Sequence, residues 1–157
     1  MPDHVDSESR SRIMALVGSK NTKPELALRS FLHSKGYRFR LHRKDLPGTP
    51  DMVLPKYQLA IFVHGCYWHR HTGCAYATMP KSRVEFWKEK FVKNARRDSL
   101  QQEQLILDNW RVLVVWQCGM RHCKDSMNDL IEIIESEKVR NEWPIRPPKM
   151  RNFFNES

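Results

Sequence analysis

Two near-continuous apolar runs, "QLAIFVH" (Gln58–His64) and "WRVLVVWQC" (Trp110–Cys118), constrain this chain more than any other feature. Each has the length of a strand and is apolar at consecutive rather than alternating positions, the pattern of a strand buried on both faces of a sheet. Between them, "TMPKSRVEFWKEKFVKNARRDSLQQEQLILDNW" is the longest helical pattern, with Val84, Trp87 and Phe91 on one side and charge opposite. Tyr37–Leu41 and "DMVL" read as further strands separated by the turn residues of "DLPGTP". A short helix is expected over Ser9–Val17, with Ile13, Leu16 and Val17 on one face. A second helix starts at "NTKPE", with Thr22 as cap and Glu25 as its capping partner, and ends at Gly36. Ser126–Val139 completes the helices, and the Pro-interrupted segment 141–157 reads as an irregular tail. The order αα, three strands, α, β, α makes an α/β fold: a mixed sheet flanked by helices, in one domain spanning 1–157.

A chain of 157 residues suffices for one hydrophobic core. Its 27 Lys and Arg against 18 Asp and Glu give a formal net charge of +9, which favours a polyanionic partner. Nucleic acid is the first candidate, although charge says nothing about fold. No apolar run approaches the length of a membrane span, and the acidic, polar N-terminus "MPDHVDSESR" lacks the pattern of a signal peptide. A cytoplasmic protein is expected, in which four cysteines are poor disulfide candidates.

Histidines and cysteines crowd the stretch "IFVHGCYWHRHTGC", and zinc takes four tetrahedral Cys and His ligands. Cys66, His71 and Cys74 form a local set. Cys118, at the end of the second buried run, is suited to be the remote ligand, with Cys123 in "GMRHCKD" as its rival. The plainer reading makes all of these reduced thiols packed as small hydrophobes. His64 and His69 are then left over, with His64 at the polar end of its strand. Asp51 stands between a rigid turn and "MVL", where an unpaired charge is costly and a divalent cation would relieve it. Alone, Asp51 reads rather as a turn residue bonding its own backbone. Together, an oxygen ligand suited to Mg²⁺ and two imidazoles in a basic protein outline a phosphodiesterase.

Pro-Asp on one strand, with an acid and a lysine on the next, marks the restriction endonuclease-like nucleases. Here the second half is "FVH", with Phe62 in the place of the acid and His64 in that of the lysine. With "RSRIMALVGSKNTKPE", "LPGTPD", "GCYWHRHTGC", "VEFWKEKFVKN", "RRD" and "WRVLVVWQC", the chain resembles the very short patch repair (Vsr) endonucleases from about Ser9 to Cys118.

The resemblance implies a restriction endonuclease-like fold with a structural zinc site held by Cys66, His71, Cys74 and Cys118. It also implies a Mg²⁺-dependent nick on the 5′ side of thymine in a T:G mismatch, the product of 5-methylcytosine deamination. Asp51 and the main-chain carbonyl of Val63 would hold Mg²⁺; the family often has threonine at this second position. In some members Cys74 stands one residue closer to His71. His69 would be the general base and His64 would contact the scissile phosphate or assist the leaving oxygen, with the assignment between them open. Glu25 and Asp98 match supporting acids that orient water or the histidine, against plainer readings as a capping residue and a surface partner of Arg97.

Tyr67, Trp68 and Trp87 match side chains that push between base pairs from the major groove, and Met14 one that enters from the minor groove. Such wedges cost a few kcal/mol per base step, less at a mismatch. Trp87 alone reads also as a core residue beside Val84 and Phe91. The resemblance implies double-stranded DNA as partner to a monomer, residues 1–20 as a DNA-contacting arm, location at the nucleoid and accessory mismatch-repair proteins. The competing reading is a zinc-stabilised DNA-binding module without hydrolytic activity. A zinc base deaminase is excluded, because its His-x-Glu and Pro-Cys-x-x-Cys signature is absent.

Overall fold

In the computed structural model, which describes residues 21–150, five strands form one sheet in the order β1-β2-β3-β4-β5. The strands are β1 (Arg40–Leu41), β2 (Met52–Leu54), β3 (Leu59–His64), β4 (Arg111–Trp116) and β5 (Arg140–Trp143). The helices are α1 (Lys23–Ser34), α2 (Val84–Leu107), α3 (Gln117–His122) and α4 (Asn128–Glu135). β1 to β3 make an antiparallel meander, while β3, β4 and β5 run parallel. The parallel connections need crossovers: α2 spans from β3 to β4, and α3 and α4 span from β4 to β5.

The apolar runs are explained by cover on both faces. Alternate residues of a strand face opposite ways, and Leu59, Ile61, Leu113 and Val115 enter one core with Leu28 and Leu32 of α1 and Leu130 and Ile134 of α4. Ala60, Phe62, Val112, Val114 and Trp116 enter a second core with Leu105 of α2. Each fully buried Leu or Ile contributes roughly 1.5–3 kcal/mol. No helix among the described residues is long and apolar enough to cross a membrane.

Several elements differ from the sequence expectation. The strand expected over Tyr37–Leu41 shrinks to Arg40–Leu41, both exposed. "WRVLVVWQC" divides into β4 and the short helix α3, so Cys118 lies in a first helical turn rather than at a strand end. The terminal helix is shorter, Asn128–Glu135, and Asn141–Trp143, expected in the irregular tail, join Arg140 in a fifth strand paired with β4. Thr22 precedes α1 as anticipated but makes no side-chain cap hydrogen bond. The helix expected over Ser9–Val17, with Met14, lies outside the described residues.

Candidate active site and metal centre

Register places the site. His64 pairs with Trp116 at the ends of the parallel strands β3 and β4. Two residues beyond each lie Cys66 and Cys118, so chain positions far apart in sequence leave the sheet side by side. The Sγ atoms of Cys66, Cys74 and Cys118 and a ring nitrogen of His71 all lie within 4.8 Å of one another, and all four residues are buried. A tetrahedron of zinc–sulfur bonds has edges of about 3.8 Å, so this donor set fits the ion closely. A hydrogen bond from Cys118 holds the Cys66 thiol down to about 4, and the same pairing pushes Cys118 up. The group favours one thiolate even without a cation. Cys123, the rival ligand, packs against the other core.

On the antiparallel side, Met52 pairs with Ile61 and Leu41 with Met52. Continuing that register by one residue sets Asp51 opposite Phe62 and beside His42, and the His42 N–H donates to the Asp51 carbonyl at 3.2 Å. Residues directly opposite share a face, so Asp51 lies on the face that carries Phe62 and His64. The Val63 N–H donates to Asp51 Oδ2 at 2.7 Å. Burial nevertheless pushes the Asp51 carboxyl up to about 6, only partly offset by that hydrogen bond. Asp51, His64, His69 and Asp98 share the lining of one cavity of about 340 Å³ with Arg97 and Gln101.

The imidazoles of His64 and His69 stack with centroids 3.8 Å apart and planes 7° from parallel. His69 Nδ1 lies 2.6 Å from Asp98 Oδ2, leaving Nε2 for other partners. Asp98 therefore turns from the helix surface toward the site and does not pair with Arg97. Burial and the neighbouring His69 push His64 down to about 3, which keeps it neutral at physiological pH. Glu25 likewise departs from the capping reading. It is 2% exposed, its Oε1 2.6 Å from Arg29 Nη2 and 2.6 Å from His42 Nε2.

Sequence reasoning did not single out His42, Arg29 or Trp116. His42 gains its meaning only from its place across the ladder from Asp51. Trp116 stacks on His71 at 4.1 Å and meets His64 edge-on at 5.4 Å, bridging the metal-ligand cluster and the histidine pair. The His64 contact follows from the β3–β4 register and the His71 contact from the path of the loop after β3, neither of which a single segment reveals.

The aromatic residues gather on the loop after β3 and the first turns of α2. Tyr67 packs edge-on to the buried Phe91 at 5.3 Å, and Trp68 lies 6.1 Å from Trp87. Trp68 is 37% exposed and Phe86 46%. Trp87 is half-buried, so Phe91 fills the core while Trp87 belongs to the partly exposed ridge above it. Lys90 Nζ stands 5.4 Å from the Trp87 ring centroid, placing positive charge beside the ridge.

A mixed sheet presents one aspartate and two stacked histidines beside basic groups, an arrangement whose chemistry suits the hydrolysis of a phosphodiester. The profile of the family described as "DNA mismatch endonuclease Vsr" matches residues 2–75. The "Type II nicking enzyme V.XorIIP" of Xanthomonas oryzae pv. oryzae is 55% identical over 120 residues, which cover 76% of this chain and 88% of that protein. "Type II nicking enzyme V.NmeAIP" of Neisseria meningitidis is 38% identical over 138 residues, 86% of this chain and 98% of that one. "DNA mismatch endonuclease Vsr" of Escherichia coli is 41% identical over 121 residues, 77% of each chain.

The chain belongs to the Vsr family of DNA mismatch endonucleases. It is a DNA-cleaving hydrolase, a mismatch or sequence-specific nicking endonuclease, and the reading as a non-catalytic binding module falls. Its family is one of nucleases that suggests a divalent metal, and the buried Cys and His cluster can bind one.

Proposed function

We propose that the enzyme nicks DNA on the 5′ side of the thymine in T:G mismatches left by deamination of 5-methylcytosine, using Mg²⁺ for catalysis and Zn²⁺ for structure. The observation that carries this reading is the convergence of Asp51, His64, His69 and Asp98 on one cavity. The donor chemistry fits both ions. The Cys66, His71, Cys74 and Cys118 set suits Zn²⁺. Asp51 offers a hard oxygen ligand whose burial disfavours its charge, a cost a cation relieves. In a strand the N–H and C=O of one residue leave the same edge, so the Val63 carbonyl shares the side on which its N–H meets Asp51.

When bound, Mg²⁺ supplies positive charge to offset the charge that builds on the scissile phosphate. The protein's own groups handle the protons. Asp98 holds the Nδ1 side of His69, so His69 Nε2 takes the proton from the attacking water as general base. His64 enters the reaction neutral and donates a ring N–H to a phosphate or leaving oxygen. Glu25, held by Arg29 and His42, fixes the acidic side of the pocket and aligns the water there. The ridge of Tyr67, Trp68 and Trp87 is assigned to the major-groove wedge, and Met14 to the minor-groove wedge within a DNA-contacting arm formed by residues 1–20. The enzyme is assigned as a monomer acting in the cytoplasm on nucleoid DNA, with accessory repair proteins as further partners.

Asp98→Asn should lower the single-turnover nicking rate by about 10²–10⁴, the usual contribution of an acid–base group, with little change in DNA affinity. A rate within twofold of the unaltered enzyme would remove Asp98 from the proton path. For specificity, a panel of duplexes carrying one T:G pair in varied contexts is compared with matched T:A controls. Nicks 5′ of the mismatched thymine, dependent on Mg²⁺, are expected. Equal cleavage of matched duplexes would overturn the mismatch reading.

A further inference from the structure

A second cavity, of about 480 Å³, opens on the other side of the His64 and His69 pair, and its far wall carries Lys138 and Arg140. Its origin lies in the register of the edge strand. β5 alternates exposed and buried, with Asn141 and Trp143 turned into the fold and Arg140 and Glu142 outward. Arg140 pairs with Val112 and Glu142 with Val114, so both stand on the face that α2 covers over β3 and β4. At β5 that face borders an open cleft, with Ser99 and Gln102 of α2 across from Arg140. Where Val112 and Val114 would lead one to expect further apolar residues, β5 instead presents a cation and an anion.

The anion is accounted for, because Glu142 Oε1 accepts from Trp116 Nε1 at 2.6 Å. The cations have no such partner: neither Lys138 nor Arg140 is paired through its side chain with another described residue. Their backbone is nevertheless firmly held. The Arg111 guanidinium donates to the carbonyls of Ile133, Ile134 and Lys138, and Asn141 Nδ2 donates to the Lys138 carbonyl at 2.8 Å. Two cations without a side-chain partner among the described residues, on a pinned segment and in a cleft walled by the histidines, fit an anionic ligand continuous with the one being cleaved.

We infer that this cleft is a subsite for the DNA strand beyond the cut, with Lys138 and Arg140 contacting phosphates a few nucleotides from the scissile one. The inference rests on the nicking activity proposed above. His64 aligns with Trp116 and Arg140 with Val112, so Arg140 lies two strand spacings across the sheet, roughly 10 Å, and four residues along it, roughly 13 Å, from His64, which sets the contacts about two to three nucleotides along the backbone. Phosphate contacts of this kind set position and affinity and carry no base information.

The test uses Lys138→Gln and Arg140→Gln, singly and together, in the full chain. Because both side chains are exposed, folding should be unchanged, and Arg140→Glu provides a charge-reversed check. The double variant should bind a T:G duplex about tenfold more weakly, with the slope of log affinity against log salt reduced by roughly one to two. Its single-turnover rate at saturating DNA should stay within about twofold. Single methylphosphonates, which remove one backbone charge each, are then scanned along both sides of the cut. The unaltered enzyme should lose affinity at one or two adjacent positions, and the double variant should show no penalty there. An unchanged salt slope, or a methylphosphonate pattern identical in both proteins, overturns the subsite. Absence of nicking by the unaltered enzyme would instead defeat the proposed activity, while the binding scan still decides the cleft.

Discussion

Asp51→Ala is expected to reduce nicking of a T:G duplex by at least about a thousandfold while leaving the duplex bound. The magnitude follows from the several kcal/mol of charge stabilisation that a metal contributes at a phosphate, each 1.36 kcal/mol being tenfold in rate. Binding should survive because the aromatic ridge and the basic cleft lie apart from this carboxylate. A gel-shift measurement beside single-turnover cleavage separates the two effects, and retained cleavage would remove the proposed metal site.

The milder Asp51→Asn exposes the same group through stability. Burial raises the Asp51 carboxyl from 3.8 to about 6, so the folded state holds a proton that the unfolded state has already released over that interval. Stability of the metal-free protein therefore falls as pH rises from about 4 to about 6. Asparagine keeps an oxygen for the Val63 N–H and has no charge to bury. Metal-free Asp51→Asn should thus be the more stable protein at pH 7.5, by on the order of 2–3 kcal/mol, and the difference should vanish below pH 4. Thermal denaturation in chelator at several pH values measures this. Equal melting temperatures throughout would show that the carboxylate carries no buried charge.

Removing the second ion should affect the fold more than the chemistry. Structural zinc contributes on the order of 10–16 kcal/mol in small peptides, and even a part of that, at 2–4 °C per kcal/mol in a chain of this size, exceeds ten degrees. Cys118→Ser should lower the melting temperature by more than about 10 °C and abolish stoichiometric zinc. Cys123→Ser, which alters a residue outside the ligand cluster, should cost less than about 1 kcal/mol. Metal analysis beside calorimetry checks both. Comparable losses in the two variants would contradict the assigned ligand set. Nicking should disappear with the fold of the loop, because His69 lies between Cys66 and His71 in sequence.

The apolar runs of β3 and β4 were legible because burial on both faces leaves no alternative pattern. β5 was not legible: Arg140 and Glu142 on its outward side, followed by Pro144, break the apolar signal, and only pairing with β4 makes it a strand. The grouping of Cys66, His71, Cys74 and Cys118 could be read from spacing because Cys66 and Cys118 lie close to the ends of adjacent strands. Asp98 and Glu25 were harder. Helical periodicity tells which face a residue occupies, but not that Asp98 reaches His69 or that Glu25 turns from Thr22 toward His42. Those orientations come from α2 and α1 packing on opposite sides of the sheet, which is tertiary information. The family resemblance supplied roles for both residues that the periodic pattern alone could not.

The most direct test of the central claim is an anomalous difference map from crystals of the enzyme with T:G DNA and Mn²⁺ in place of Mg²⁺, collected at the manganese and zinc edges. One manganese peak is expected against the Asp51 carboxylate and the Val63 carbonyl, and one zinc peak among Cys66, His71, Cys74 and Cys118. Manganese bound elsewhere, with the Asp51 carboxylate free of metal, would contradict it.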